Sequence, residues 1–189
     1  MADPENDDPA VPEGGPPGAG ASDGEEERGD GEAKASVQRI FLVIVDESPE
    51  MGVALRFACR RARHSGGRVA LLFVIEPSEF QNWLGVGKLI SDEARQSAEQ
   101  LLQRHAAKAS ELTGSVPILY LREGSKRDQL LELIEEEPSI SVLVLGANVG
   151  QGGPGPLVSA LTGKFVGRLR VPVTIVPGSL SEEDVDALS

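Results

Sequence analysis

The sequence is short of several things at once, and each shortage closes off a class of protein. It has one cysteine, Cys59, so no disulfide can form within the chain. No apolar run approaches the roughly 18 residues that a membrane-crossing helix needs. The two histidines, His64 and His105, have no companion ligands at metal-binding spacing, so no metal site is expected. Basic charge is scarce: 18 Lys and Arg stand against 30 Asp and Glu, a net charge of −12. That balance offers no basic stripe for the phosphates of DNA or RNA, and a nucleic-acid partner is not expected. The opening residues lack the basic start and apolar stretch of a secretion signal, so a cytoplasmic location is the expectation.

What is present divides unevenly. Residues 1–36 are almost wholly Pro, Gly, Ala, Asp and Glu, with Val11 as the one large aliphatic side chain. They carry eleven acids against Arg28 and Lys34, nine of the twelve net negative charges. Such a segment buries too little apolar surface to offset the entropy of ordering, which predicts a disordered acidic leader. Residues 37–178 read as one α/β domain and 179–189 as an acidic C-terminal tail.

Within the domain, apolar runs at 40–45, 69–75, 117–121, 140–145 and 171–176 have the continuous character of parallel strands covered on both faces. Helical patterns separate them. Ser48-Pro49 opens the first, whose apolar face carries Met51, Leu55, Ala58, Cys59 and Ala62, and Gly66-Gly67 closes it. A long amphipathic helix is predicted over 88–113, with His105 on its surface. A third begins at Ser125, with Asp128 placed for a capping box, and ends at Glu135-Glu136-Glu137-Pro138. The fourth is predicted over 157–170. Between the second strand and second helix, Phe80 and Trp83 occupy an irregular stretch suited to packing on the domain or forming a lid.

Alternation of strand and helix with right-handed crossovers gives a doubly wound parallel sheet. Ligands of such sheets bind outside the carboxyl ends of the strands, where strand order reverses. The candidate site is thus Asp46 to Ser48, the end of the second strand from Ile75 to Pro77, and the glycine-rich turn from Gly146 to Gly155. Glycines let backbone approach a ligand closely, and a helix opening behind them favours an anion such as phosphate.

Two phosphate motifs fail on inspection. Thr162-Gly163-Lys164 lacks the upstream glycine and the following hydroxyl of a Walker loop, and Gly150 to Gly155 spells GxGxxG in the last βα turn without an acid at the next strand end. An adenylating enzyme of related fold would need a glycine-rich loop after the first strand, where Asp46-Glu47-Ser48-Pro49 stands.

The run Arg39-Ile40-Phe41-Leu42-Val43-Ile44-Val45-Asp46-Glu47-Ser48, the helix Ala54-Leu55-Arg56-Phe57-Ala58, Phe73-Val74-Ile75-Glu76-Pro77, Arg122-Glu123-Gly124, Val142 to Gly146 and Pro172 to Pro177 together resemble the universal stress protein family. The resemblance covers nearly all of residues 38–178. It implies an adenine nucleotide alpha-hydrolase-like fold with five strands in the order 3-2-1-4-5. It also implies a homodimer through the last strand (Val173, Thr174, Ile175, Val176) and, in one branch of the family, binding of ATP, with magnesium, or AMP. At most slow ATP hydrolysis would accompany binding.

Nucleotide-binding members carry glycine, two residues, glycine, nine residues, glycine and a hydroxyl after strand four. Gly150, Gly153 and Gly163 fit that spacing, but Lys164 replaces the hydroxyl. Anchoring on Pro172-Val173 instead makes Gly146 and Gly150 the first two glycines and puts Ser159-Ala160 where the last glycine and the hydroxyl residue stand. On this register the resemblance implies that Gly146, Gly150 and Ser159 face ribose and phosphates, Asp46 lies by the base or ribose, and the backbone of Val74 or Ile75 edges the adenine. The alternative function is a dimeric interaction module that uses the Gly/Pro loop as a protein contact. Pro154 and Pro156 favour it, because they remove N–H donors where phosphate would need them.

Overall fold

The computed structural model describes residues 38–77 and 87–189. The acidic leader and the Phe80 and Trp83 segment lie outside the described residues. Five strands form one parallel sheet: β1 (Ile40–Ile44), β2 (Arg68–Ile75), β3 (Ile118–Glu123), β4 (Ile140–Ala147) and β5 (Val173–Pro177), in the order β3-β2-β1-β4-β5. Five helices accompany them: α1 (Pro49–Ser65), α2 (Gly87–Thr113), α3 (Lys126–Glu136), α4 (Pro156–Thr162) and α5 (Glu182–Leu188).

β1 is the hinge of the architecture, since every one of its side chains is buried. Phe41, Val43 and Val45 join the core beneath α1 and α2, while Ile40, Leu42 and Ile44 join a second core with α3 and α4. Two opposite apolar faces explain why the run is continuous instead of alternating. The first crossover takes the chain from β1 through α1 to β2, and the third takes it from β3 through α3 back to β4. They lie on opposite faces of the sheet, so the carboxyl ends of β1 and β4 part to leave a crevice.

The ends of α1 follow from local chemistry. Pro49 takes its first position, where a missing N–H costs nothing. Gly66 turns left-handed at φ 66°, and the Gly67 N–H returns to the Ala62 carbonyl at 2.8 Å, closing the helix.

Several sequence expectations change. The helix foreseen over 157–170 stops at Thr162 as α4, and only a single 3-10 turn, Val166–Arg168, follows. Gly163 and Gly167 interrupt a stretch that the apolar pattern alone continued. The expected capping box of α3 does not form: Ser125 makes no side-chain cap, and Asp128 turns to the Arg127 guanidinium at 2.8 Å. Of the three glutamates that end this helix, Glu136 pairs with Arg122. The Arg170 guanidinium donates to the carbonyls of Ile134, Glu137 and Ile140, supplying cationic charge where the helix dipole is negative. His105 is half-buried instead of lying on the surface, and burial beside Arg104 and Lys108 lowers its pKa.

The largest change is at the end of the chain, where the expected acidic tail contains α5. Ser181 and Asp184 form a reciprocal capping box, with the Asp184 N–H donating to Ser181 Oγ at 3.1 Å and the Ser181 N–H to Asp184 Oδ2 at 3.2 Å. Three acids in the first turn of α5 suit the positive end of its dipole. Val185 is buried, and Asp186 accepts paired hydrogen bonds from Arg56 and Arg60 of α1. The run of carboxylates that suggested a solvated tail is thus a helix start followed by a clasp.

Candidate functional site

At the carboxyl ends of β1 and β4 lies a cavity of about 420 Å³, within the size range of small-molecule sites. Its floor is Ile44 of β1 with Leu145 and Gly146 of β4. Asp46, Ser48 and Glu50 form the wall leading into α1, Glu76 follows β2, and the starts of α3 and α4 complete the enclosure. A second cavity, of about 610 Å³, lies between the ends of β1 and β2 and the helix α2. Asp46, Glu76 and Lys126 line both, and so stand between the two.

Local geometry explains how each element arrives. The Ser48 N–H donates to Asp46 Oδ1 at 2.9 Å, which fixes the carboxylate at the strand end. Gly146 lets α1 approach β4: a Cβ there would stand 2.5 Å from the Glu50 carbonyl oxygen. Gly178 presses on the same residue from β5, where an added Cβ would meet that of Glu50 at 2.8 Å. The first turn of α1 is therefore seated between two glycines, with Glu50 facing the cavity. On the opposite side Gly124, at φ 134°, ends β3 and donates its N–H to the Ile75 carbonyl at 2.9 Å. This turn delivers Lys126 and Arg127 over the crevice, with the Lys126 N–H donating to Glu76 Oε1 at 3.2 Å.

Of the residues expected at the site, Asp46, Ser48 and Gly146 line the first cavity, and Val74 joins Asp46 at the second. Ile75, Gly150, Gly153 and Ser159 are in the wall of neither. The Ile75 carbonyl is already engaged by Gly124. Gly150 donates its N–H to Asn148 Oδ1 at 2.6 Å, and the Gly153 N–H goes to the Gly150 carbonyl at 3.2 Å. Ser159 is exposed, with its hydroxyl bonded to the Gly155 carbonyl one helical turn back at 2.9 Å. The loop nevertheless reaches the cavity through Pro154, Gly155 and Pro156.

Glu50, Lys126 and Arg127 are charged lining residues that the sequence did not single out, while Glu76 falls within the expected Ile75 to Pro77 stretch. The switch-point rule points to the ends of β1, β2 and β4, and β3 lies at the edge of the sheet. The signal was present in Gly124-Ser125, since the helix that follows must cross back over the switch point to reach β4. The wall is mixed in charge, with Asp46, Glu50 and Glu76 against Lys126 and Arg127. Among the described residues no group of His, Cys, Asp and Glu is arranged to hold a metal ion, and no helix is long and apolar enough to cross a membrane.

Comparison with solved structures places the fold. UspA from Lactobacillus plantarum superposes with a TM-score of 0.61 at 18% identity, covering 74% of this chain and 97% of that one. A universal stress protein family member from Burkholderia pseudomallei gives 0.57 at 19%, covering 75% and 98%. A universal stress protein solved in complex with cAMP gives 0.54 at 20%, covering 76% and 100%. No curated protein matches the sequence. The profile of the Universal stress protein family matches residues 38–177, from just before β1 to the end of β5. That match spans the whole five-stranded sheet, and the chain belongs to the universal stress protein family.

Proposed function

We propose that this chain is a stress-response protein that binds an adenine nucleotide, ATP or AMP, between the carboxyl ends of β1 and β4, and that it works as a homodimer joined through β5. The observation that carries the nucleotide reading is the cavity of about 420 Å³ at the switch point, lined by Asp46, Ser48 and Gly146 together. Carboxylates at Asp46, Glu50 and Glu76 suit the hydroxyls of a ribose and the amino group of an adenine, which are hydrogen-bond donors. The cAMP complex of a relative with the same fold supports the ligand class. The protein binds its nucleotide and turns it over slowly at most.

The test is direct: denature the purified protein by heat and look for released adenine nucleotide by chromatography, then measure thermal shifts with AMP and with ATP and magnesium. Released nucleotide or stabilisation at millimolar ligand is expected. An empty extract and no shift with either would sink the reading. One observation favours the rival, an interaction module using the β4–α4 loop: Val149 on that loop is 60% exposed. A partner captured by wild-type protein and lost with Val149→Asp, from a chain that binds no nucleotide, would support that second reading.

A further inference from the structure

We infer that the anionic group of the bound nucleotide sits against Lys126 and Arg127 at the start of α3 instead of in the β4–α4 loop, so that the site takes a nucleoside monophosphate; the inference rests on the nucleotide reading above. The loop groups that spacing would assign to a phosphate are already engaged, and the N–H groups left at this end of the cavity are those of Gly155, Leu157 and Val158. Gly150 and Gly153 have committed their N–H groups within the loop, and the Ser159 hydroxyl is spent on Gly155. Pro154 and Pro156, the loop residues that reach the cavity on either side of Gly155, have no N–H at all.

The cationic groups lining this cavity are Lys126 and Arg127. Arg127 is held in place by Asp128 at 2.8 Å and lies over the Phe165 ring at 4.5 Å, so its charge is partly compensated and its position fixed. Lys126 makes no ion pair among the described residues, which leaves its ammonium as the uncompensated positive charge of the wall. Asp46, Glu50 and Glu76 complete the charged lining, with Glu76 beside Lys126 through the Lys126 N–H. The cavity thus holds both acceptors for the donor-bearing nucleoside and, at the start of α3, the cations an anion needs. With two cations against three carboxylates, each further negative charge of a triphosphate adds repulsion that a monophosphate at Lys126 and Arg127 avoids.

Calorimetric titration of the full chain with AMP, cyclic AMP, ATP with magnesium, and adenosine tests this. AMP or cyclic AMP should bind more tightly than ATP. Lys126→Gln should weaken binding of the monophosphate roughly tenfold, the loss expected of one charge-assisted hydrogen bond, and leave adenosine unchanged within about twofold. Lys126→Arg should recover most of the loss, and Ser159→Ala should stay within about twofold of wild type. Three results would each overturn the inference while leaving the nucleotide reading intact: ATP binding tighter than AMP, Lys126→Gln without effect on AMP, or an equal loss for AMP and adenosine. Wild-type protein that binds none of the four ligands would remove the nucleotide reading itself, and the inference with it.

Discussion

Cys59 and Gly146 show how single residues are decided by their surroundings. The thiol of Cys59 is fully buried on the α1 face, and desolvation of the thiolate pushes its pKa up to about 12. It therefore stays protonated at neutral pH and is inert. A thiol reagent should not modify the native protein at pH 8 but should react with one thiol once denaturant unfolds it; rapid native labelling would contradict the burial. In the unfolded chain the thiol ionises near its ordinary value of about 8.5, so stability should begin to fall as pH rises above that point and continue falling toward 12. Gly146 is small because α1 crosses β4 there, and an added methyl would strike the Glu50 carbonyl. Gly146→Ala should destabilise by about 1–3 kcal/mol, the usual cost of overpacking, and should disturb the cavity wall at Glu50. Gly152→Ala, with open space around it, should lie within about 0.5 kcal/mol of wild type by chemical denaturation.

Among the elements, α5 depends most on one contact outside itself. A helix of seven residues is too short to persist alone, so its order derives from the capping box, from buried Val185 and from the Asp186 clasp on α1. Arg56 and Arg60 together hold the Asp186 carboxyl well below the usual carboxylate range. Because the folded pKa lies below the unfolded one, the clasp contributes fully above about pH 4 and is lost progressively as pH falls below that value. Asp186→Asn should lower Tm at pH 7, and the gap from wild type should narrow as the pH is taken from 5 toward 2. A gap that stayed constant across that range would mean the clasp does not act through charge. Glu182→Gln should change Tm little, since the Glu182 side chain is 71% exposed although it touches Arg56.

For the whole molecule the open question is the edge of β5. The Leu143 N–H donates to the Pro172 carbonyl at 3.0 Å, which fixes the phase of the ladder. Backbone groups of Thr174 face β4, while those of Val173 and Ile175 face outward. Thr174→Pro would therefore damage the sheet itself. Ile175, 39% exposed, is the position that tests a β5 dimer. Ile175→Pro removes an outward donor and should convert a dimer to a monomer by light scattering, with a much smaller loss of Tm than Thr174→Pro causes. A dimer that survives Ile175→Pro would place the interface elsewhere.

Strand and helix existence, the doubly wound class and the location of the crevice were legible in the sequence, because they rest on short-range signals. Runs such as Ile40 to Val45 and Val69 to Ile75 must be covered on both faces, and Ser48-Pro49 and Gly66-Gly67 punctuate α1 whatever lies around it. The strand order followed from likeness to a family, not from periodicity. Tertiary structure alone decided the rest. The clasp of Asp186 on Arg56 and Arg60 joins residues about 130 positions apart, and no local pattern distinguishes it from a solvated acid. The wall of the cavity was settled by which groups were already bonded. Gly150, Gly153 and Ser159, each assigned to phosphate by one register of the family motif or the other, have turned donors inward, whereas Lys126, carrying no motif, is brought over the crevice by the Gly124 turn. Spacing along a chain determines which groups can meet, and only the folded backbone determines which of them remain free to bind.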